Sequence, residues 1–258
     1  MTSYQGGKGR LGKRIYQVIK LLEQELSGGV QLPYFEPFIG MAGVMRHFAA
    51  ENTSRELYAS DISKDLVLMW KAIQKGWKPP LKCSKEEYER LRNDAPSPKR
   101  AFIGIVASYS TVFFNGYRLN YDNKGRDYLQ EGYDGLMEIA PVMRKVDFMG
   151  TASYAQWDPK GYLIYCDPPY LNNQLKNEHF ENFDHPAFWE TMRKWSKKNI
   201  VIVSEVMAPK DWKCIWAADS NCNTRHGNKV YKDCLFIHQD VAKKLSTRTK
   251  AQIKKITH

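Results

Sequence analysis

The sequence predicts an α/β fold built around a mostly parallel sheet, and three observations lead to this prediction. Short apolar segments alternate with segments of helical periodicity, which is typical of strands with helices packed on the faces of their sheet. The chain has 258 residues, of which 43% are hydrophobic and 26% are charged, as in an average folded domain. At roughly 150 residues per domain, this length fits one large domain or one domain with a sizeable insertion.

The first part of the chain supplies two alternating pairs of strand and helix after an initial helix. Apolar residues recur at helical spacing in each predicted helix, whereas the strands are short apolar runs bounded by glycine, proline or acidic residues. The predicted elements are a helix around 15–22, a strand at 32–35, a helix within 38–50, a strand at 56–59 that ends near Asp61, and a helix around 66–73.

The composition changes in the middle of the chain, where prolines, asparagines, glycines and tyrosines become frequent. Residues 101–109 have helical character, but 113–128 is too rich in Asn, Gly and Arg for a core element. We therefore predict an inserted domain at 76–154. Residues 1–75 and 155–258 then form the domain that contains the sheet.

The alternation of strands and helices returns in the last part of the chain. Each predicted strand is again a short apolar run, and the helix between them has apolar residues on one face. The predicted elements are a strand at 162–166, a helix at 186–198, a strand at 200–203 and a last strand at 235–238.

Positive charge is concentrated at the two ends of the chain. There are 39 Lys and Arg against 28 Asp and Glu, which gives a formal net charge of +11. Lysines and arginines are the charged residues before Glu23, and 241–258 is basic and contains no Asp or Glu. Such blocks suit the neutralisation of phosphates, although 241–258 fits a solvated basic tail equally well.

Other classes of protein are disfavoured by the sequence. No run reaches the ~18 apolar residues of a membrane span, and the first residues lack an apolar signal segment, so we expect an intracellular protein without a membrane partner. The five cysteines include no C-x-x-C pair, and their spacing to His226 and His238 fits no common zinc pattern. We therefore expect free thiols and no metal.

A glycine-bearing turn, EPFIGMAG at 36–43, follows the first predicted strand. Ligands of open α/β sheets bind at the carboxyl ends of strands, and an acid after the second strand commonly accepts hydrogen bonds from ribose. Asp61 follows Gly40 by 21 residues in that position. An adenosine-type cofactor is therefore expected, whereas the G-x-x-G spacing disfavours a dinucleotide. An ordinary glycine turn with a surface Asp remains the alternative.

The tetrapeptide Asp-Pro-Pro-Tyr at 167–170 ends the strand predicted at 162–166. Two prolines make this backbone stiff and leave its carbonyl groups as acceptors. A carboxylate, a carbonyl and an aromatic ring together suit a planar amine, whose amino hydrogens need acceptors and whose ring can stack. The alternative is a proline turn with an incidental tyrosine.

Six motifs occur in a fixed order along the chain. They are GGK at 6–8, EPFIG at 36–40, SDI at 60–62, FNGYRLN at 114–120, SYAQW at 153–157 and DPPY at 167–170. In this order they resemble the motifs of the Dam-type adenine-N6 DNA methyltransferases, several of which come from phages and viruses. The resemblance covers nearly the whole chain, including 183–205, which is similar to the helix and strand that follow in that family.

The resemblance implies a Rossmann-like, mostly parallel, seven-stranded methyltransferase sheet with an inserted, mainly helical target-recognition domain. It implies the cofactor S-adenosylmethionine, the product S-adenosylhomocysteine and no metal. The implied reaction is site-specific methyl transfer to N6 of an adenine that is flipped out of double-stranded DNA. The implied protein is a monomer or weak dimer in the cytoplasm of a bacterium or a virus-infected cell.

The resemblance also implies roles for individual residues. The catalytic positions are Asp167, Pro168, Pro169 and Tyr170. The cofactor-binding positions are Tyr4, Gly7, Lys8, Glu36, Pro37, Phe38, Gly40, Gly43, Asp61, Ile62, Ser153, Tyr154 and Asp167. The DNA-binding positions are Lys8, Arg10, Asn115, Tyr117, Arg118, Asn120, Lys124 and Arg126, most of them in a DNA-recognition hairpin at 113–128.

The recognition sequence and the acceptor stay open. Many relatives that recognise GATC continue with G-E-F-N-V-P where this chain has GRDYLQ at 125–130, which argues against GATC. Two alternative functions remain: methyl transfer to RNA or to a protein amide, and a catalytically silent DNA-binding protein with the same fold.

Overall fold

The computed structural model describes residues 8–119, 122, 125–171, 183–224 and 227–256. These residues contain a seven-stranded sheet. The strands are β1 (Tyr34–Glu36), β2 (Leu57–Asp61), β3 (Val146–Thr151), β4 (Leu163–Cys166), β5 (Ile200–Glu205), β6 (Trp212–Thr224) and β7 (Gly227–His238).

Helices surround this sheet in the described ranges. They are α1 (Gly12–Leu26), α2 (Met45–Ala49), α3 (Lys64–Gln74), α4 (Lys85–Asn93), α5 (Pro98–Val106), α6 (Tyr128–Met143), α7 (His185–Ser196), α8 (Gln239–Ala242) and α9 (Thr247–Lys255). Tyr109–Thr111 and Tyr154–Gln156 are single 3-10 turns. None of the helices in the described ranges combines the length and apolar character needed to cross a lipid bilayer.

The strand order is β3-β2-β1-β4-β5-β7-β6. The first five strands run parallel, and β7 is antiparallel to both β5 and β6. The order 3-2-1-4-5 is that of a Rossmann-like doubly wound sheet, and it places a switch point between β1 and β4, where consecutive crossovers diverge. The predicted α/β fold with a mostly parallel sheet is confirmed.

Successive side chains of the central strands point to opposite faces of the sheet, as expected for a strand. Tyr34 packs into a core that includes one face of α1, whereas the adjacent Phe35 packs with α7 on the other face. The helical spacing predicted around 15–22 is confirmed, because Ile15, Val18 and Leu22 are completely buried on one side of α1. Both faces are therefore covered, and the strands are buried accordingly.

The predicted insertion at 76–154 extends too far along the chain. Its residues Val146–Thr151 form β3, which pairs in parallel with β2 and belongs to the sheet. The apolar side chains of α4, α5 and α6 pack into the same core as α1, so this helical segment shares the core of the sheet. Strands β3 and β6 were not predicted, and β7 begins well before the predicted strand at 235–238.

Candidate active site at the carboxyl edge of the sheet

The carboxyl ends of the parallel strands bring acidic residues to one edge of the sheet. Glu36 ends β1, Asp61 ends β2, Glu205 ends β5, and Asp167 directly follows β4. Because the switch point lies between β1 and β4, the rule for open α/β sheets places the ligand crevice at this edge, beside Glu36 and Asp167. It is the place in the fold where a ligand is expected.

The turn after β1 is tied to the neighbouring strand and helix. The Gly40 amide donates to Asp61 Oδ2 at 3.0 Å, and the indole of Trp70 on α3 donates to the Gly40 carbonyl at 2.9 Å. Gly40 has a φ of +47°, in the left-handed region that glycine adopts readily. The turn is therefore held in one conformation, with the Asp61 carboxylate at its base.

Asp61 lies beside an exposed apolar residue. Its Oδ1 accepts from the Ser63 amide at 2.9 Å, and its backbone carbonyl accepts from the Ala152 amide at 3.2 Å. The next residue, Ile62, is 52% exposed. A carboxylate next to an exposed aliphatic side chain suits a ligand with hydroxyl groups on one part and an apolar ring on another.

Tyr154 belongs to an aromatic cluster on the α7 side of the sheet. Its ring centroid lies 5.4 Å from that of Phe38 and 5.4 Å from that of Phe188. Ser153 precedes it and accepts from the Ala155 amide at 3.4 Å, at the start of the 3-10 turn. Phe38 and Tyr154, two of the predicted cofactor positions, are therefore in contact, and both also pack against other rings of this cluster.

Two glycines let the chain at Lys8 lie against the turn after β1. A Cβ added to Gly43 would lie 3.0 Å from the backbone carbon of Lys8, and one added to Gly12 would lie 2.0 Å from the Gly43 carbonyl oxygen. Larger residues would separate these backbones. The close approach directs the Lys8 side chain into the crevice.

Lys8 lies at the centre of a buried polar group that we call the Lys8 cluster: Lys8, Asp167, Tyr170, Ser204 and Asp233. Its Nζ is 3.1 Å from Asp167 Oδ1, 3.1 Å from Asp233 Oδ1 and 4.5 Å from the ring centroid of Tyr170, and it also donates to the Tyr170 hydroxyl. Burial lowers the pKa of Lys8, but the two carboxylates outweigh burial and raise it above its ordinary value. Lys8 is therefore a cation at neutral pH.

Asp167 is a carboxyl group with a pKa near neutrality. Its side chain is 17% exposed. Burial and the charge of Asp233 together raise the pKa of Asp167 to about 6, against the opposing effect of Lys8. At neutral pH the group is mostly ionised and can accept hydrogen bonds from an amino group.

Tyr170 is anchored through its hydroxyl group. The hydroxyl donates to Asp233 on β7 and lies 3.1 Å from Ser204 Oγ on β5. Burial and the nearby carboxylates raise the pKa of Tyr170 well above its ordinary value, so the phenol stays protonated and remains a donor. With Pro168 and Pro169 before it, the ring has little freedom.

Two further carboxyl groups at this edge have raised pKa values. Burial raises the pKa of Glu36 to about 8, although the hydroxyl of Tyr34 donates to it at 2.6 Å. Burial also raises the pKa of Glu205 to about 7, against hydrogen bonds from the amides of Leu171, at 2.6 Å, and Val206. The charge of Asp167 contributes to both shifts.

Glu205 and Asp233 were not predicted as site residues. Glu205 could have been found, since it ends an apolar parallel strand at the edge where ligands bind. Asp233 carries no such signal, because its strand β7 runs antiparallel and only the pairing with β5 brings its first half to this edge. Both side chains are buried at this edge, where Glu205 accepts from the Leu171 amide and Asp233 accepts from Lys8.

The predicted DNA-binding residues have different environments. Arg10 and Asn115 are exposed. Tyr117 instead donates to the Cys83 carbonyl at 2.9 Å, and Arg126 forms a bidentate ion pair with Glu131. Tyr4, Gly7, Asn120 and Lys124 lie outside the described residues.

Arg118, one of the predicted DNA-binding residues, is half-buried. Its Nη2 donates to the Val106 carbonyl at 2.7 Å, and its guanidinium lies 3.6 Å from the ring centroid of Tyr128. Burial lowers the pKa of Arg118. A direct contact with a base would therefore require this side chain to leave its present partners.

No protein-family model matches this chain, and no curated protein matches it. What the site can do is therefore argued from its own chemistry. Asp167 and Asp233 contact the Lys8 ammonium, and two further carboxyl groups, Glu36 and Glu205, interact electrostatically with Asp167. Such an excess of acidic groups favours a ligand that carries positive charge.

Proposed function

We propose that this protein is an S-adenosylmethionine-dependent DNA methyltransferase that modifies the N6 amino group of adenine. The observation that carries the proposal is the stiff turn Asp167–Tyr170 at the switch point of the sheet. It combines a partly buried carboxylate, a proline carbonyl and an anchored aromatic ring. These are the groups that a planar amine requires.

The residues at this edge fit the cofactor. S-adenosylmethionine, when bound, supplies an electrophilic methyl group on a positively charged sulphur. The acidic groups near Asp167 suit that charge and the ammonium of the methionine part, while Lys8 suits its carboxylate. Asp61 suits the ribose hydroxyls, and the exposed side chain of Ile62 suits the flat adenine ring.

The same turn suits adenine as the acceptor. The amino nitrogen is a weak nucleophile because its lone pair is conjugated with the ring, and acceptors for both amino hydrogens favour the tetrahedral, more nucleophilic form. Asp167 and the carbonyl of Pro168 supply two acceptors, and the ring of Tyr170 supplies a stacking surface. The adenine has to leave the duplex to reach them.

Positive charge supports DNA as the macromolecular partner. The net charge of +11 includes the exposed Arg10 and Lys13 near the start of α1, next to the Lys8 cluster along the chain. Each basic residue that contacts a phosphate releases counterions and adds affinity that salt weakens. A basic surface beside an acidic crevice suits a polyanion that presents a neutral base to the site.

The test is methyl transfer by the purified protein. With labelled S-adenosylmethionine and unmethylated duplex DNA, label is expected in N6-methyladenine. Asp167→Asn is expected to lower kcat by a factor of about 100 or more, because the amino group loses a charged acceptor in a buried site. The exposed Asp158→Asn is the matched control and should retain wild-type turnover.

The alternatives are separated by the acceptor. Competition between duplex DNA, RNA and protein in the same assay shows which one receives label. Label in RNA or protein alone would replace DNA as the substrate and keep the chemistry. Persistent absence of label, together with DNA binding but no binding of S-adenosylmethionine, would instead indicate a silent DNA-binding protein.

A further inference from the structure

Asp233 is a buried acidic residue that lies outside all six motifs. Its side chain is only 4% exposed, and its Oδ1 accepts both the Lys8 ammonium, at 3.1 Å, and the hydroxyl of Tyr170. It is 63 residues beyond Tyr170 in the sequence. A charged group in this setting needs strong partners to remain buried, and both of these partners belong to the candidate active site.

The topology explains how Asp233 reaches the site. Strand β7 is antiparallel to β5, with Ser204 opposite Leu235 and Glu205 opposite Cys234. Asp233 therefore comes one residue past the carboxyl end of β5, at the edge where the ligand crevice opens. A parallel strand in this position would place the equivalent residue at the opposite edge.

We propose that Asp233 is a positioning residue, which holds the ring of Tyr170 and the ammonium of Lys8 in the geometry that receives the acceptor base. This inference rests on the proposed function. Tyr170 is fixed at one end by the two prolines and at the other by its hydroxyl contact with Asp233. An anchored ring presents its face without losing rotational freedom on binding, which lowers the barrier of the reaction.

Asp233 also acts electrostatically on Asp167. Asp167 faces Lys8, Asp233 and Tyr170, and it interacts electrostatically with Glu36 on β1 and Glu205 on β5. The negative charge of Asp233 raises the pKa of Asp167. Replacing that charge by a neutral amide should therefore lower the pKa of Asp167 and extend activity to lower pH.

Two variants separate the anchor from the charge. Asp233→Ala removes the acceptor for Tyr170. We expect kcat to fall about tenfold to a hundredfold, which corresponds to the loss of one hydrogen bond to a charged group. The KM for S-adenosylmethionine should not change. Asp233→Asn retains an acceptor, so kcat should stay within about fivefold of wild type. Its acid limb in the pH profile should move to lower pH.

A double-mutant cycle with Tyr170→Phe tests whether the two residues act together. In the Tyr170→Phe background, Asp233→Ala should cause little further loss. Asp219 is the matched control: it is exposed on β6, opposite Lys232 on β7, and Asp219→Ala should behave as wild type.

The outcomes distinguish this inference from the function on which it rests. A wild-type protein that transfers no methyl group overturns the proposed function and this inference with it. An active wild type in which Asp233→Ala resembles Asp219→Ala overturns the role of Asp233 alone. The same conclusion follows if the losses of Asp233→Ala and Tyr170→Phe are additive, or if the acid limb of Asp233→Asn does not move.

Discussion

Three carboxyl groups at the ligand edge of the sheet have pKa values in the neutral range: about 6 for Asp167, about 7 for Glu205 and about 8 for Glu36. Burial is the main cause in each case, and the charge of Asp167 adds to the shifts of the two glutamates. The site therefore becomes more negative as the pH rises from 6 to 8. A positively charged ligand gains affinity over the same interval.

Glu36 links this titration to stability, and Glu36→Gln tests the link. Its folded pKa of about 8 exceeds the ordinary glutamate value of 4.5, so between these values the folded state binds more protons and stability falls as pH rises. The slope is at most about 1.4 kcal/mol per pH unit for this group. Glu36→Gln still accepts from Tyr34 but does not titrate, so its free energy of unfolding should depend less on pH.

Urea unfolding at about pH 5.5, 7.0 and 8.5, which spans the interval in which Glu36 titrates, gives the free energy of unfolding of wild type and Glu36→Gln. The advantage of Glu36→Gln over wild type should grow with pH. A constant difference between the two proteins would show that Glu36 does not titrate in this range. The exposed Glu56→Gln, which should track the wild type, is the control.

At the scale of elements, the start of α1 and the turn after β1 form one unit. The Gly12 amide donates to the Lys8 carbonyl at 2.5 Å, and Gly12 itself lies against the Gly43 carbonyl. Lys8 therefore enters the crevice only because both glycines lack a side chain. The position of the Lys8 cluster depends on this backbone contact.

Gly12→Ala tests that dependence. The new Cβ would lie 2.0 Å from the Gly43 carbonyl oxygen, so helix and turn must separate. We expect a loss of about 1–3 kcal/mol in the free energy of unfolding, the usual cost of overpacking, and weaker binding of S-adenosylmethionine in calorimetry. Lys13→Ala, at the next and exposed helical position, should change neither. Unchanged stability of Gly12→Ala would show that the contact is easily relaxed.

At the scale of the whole molecule, the acidic crevice and the basic surface are separate features. The carboxyl groups of Glu36 and Asp233 are buried and that of Asp167 is partly buried, whereas Arg10 and Lys13 are exposed. The net charge of +11 is therefore a property of the surface, and the site itself has the opposite character. This separation agrees with the proposed function, in which a polyanion binds outside and a cationic cofactor binds inside.

The salt dependence of DNA binding measures the surface contribution. Affinity for duplex DNA should fall as salt rises, and Arg10→Gln should reduce the slope of log Kd against log salt by about 1. Lys198→Gln is the control, since Lys198 is exposed just before β5, at the opposite edge of the sheet. Equal effects of the two substitutions would show that the charge acts without a defined DNA-binding surface.

Local patterns were sufficient for most helices and central strands. The spacing of Ile15, Val18 and Leu22 predicts the buried face of α1, and the apolar run before Asp167 predicts β4, because periodicity reflects which side chains are buried. The same sequence predicts the positions of Glu36, Asp61 and Asp167 at one edge. Parallel strands joined by helices bring their carboxyl ends together wherever they occur.

Strand pairing between distant segments decided the rest. Strand β3 joins the sheet only through its pairing with β2, and the alternation of Val146, Asp147 and Phe148 is too short to predict a strand by itself. Lys8 and Asp233 are 225 residues apart, and no local rule connects them. The sequence by itself determined the α/β class and the motifs of the candidate site, because these depend on short-range periodicity and backbone chemistry. Only the tertiary structure decided that Asp233 anchors Tyr170, since that contact requires the antiparallel insertion of β7 beside β5.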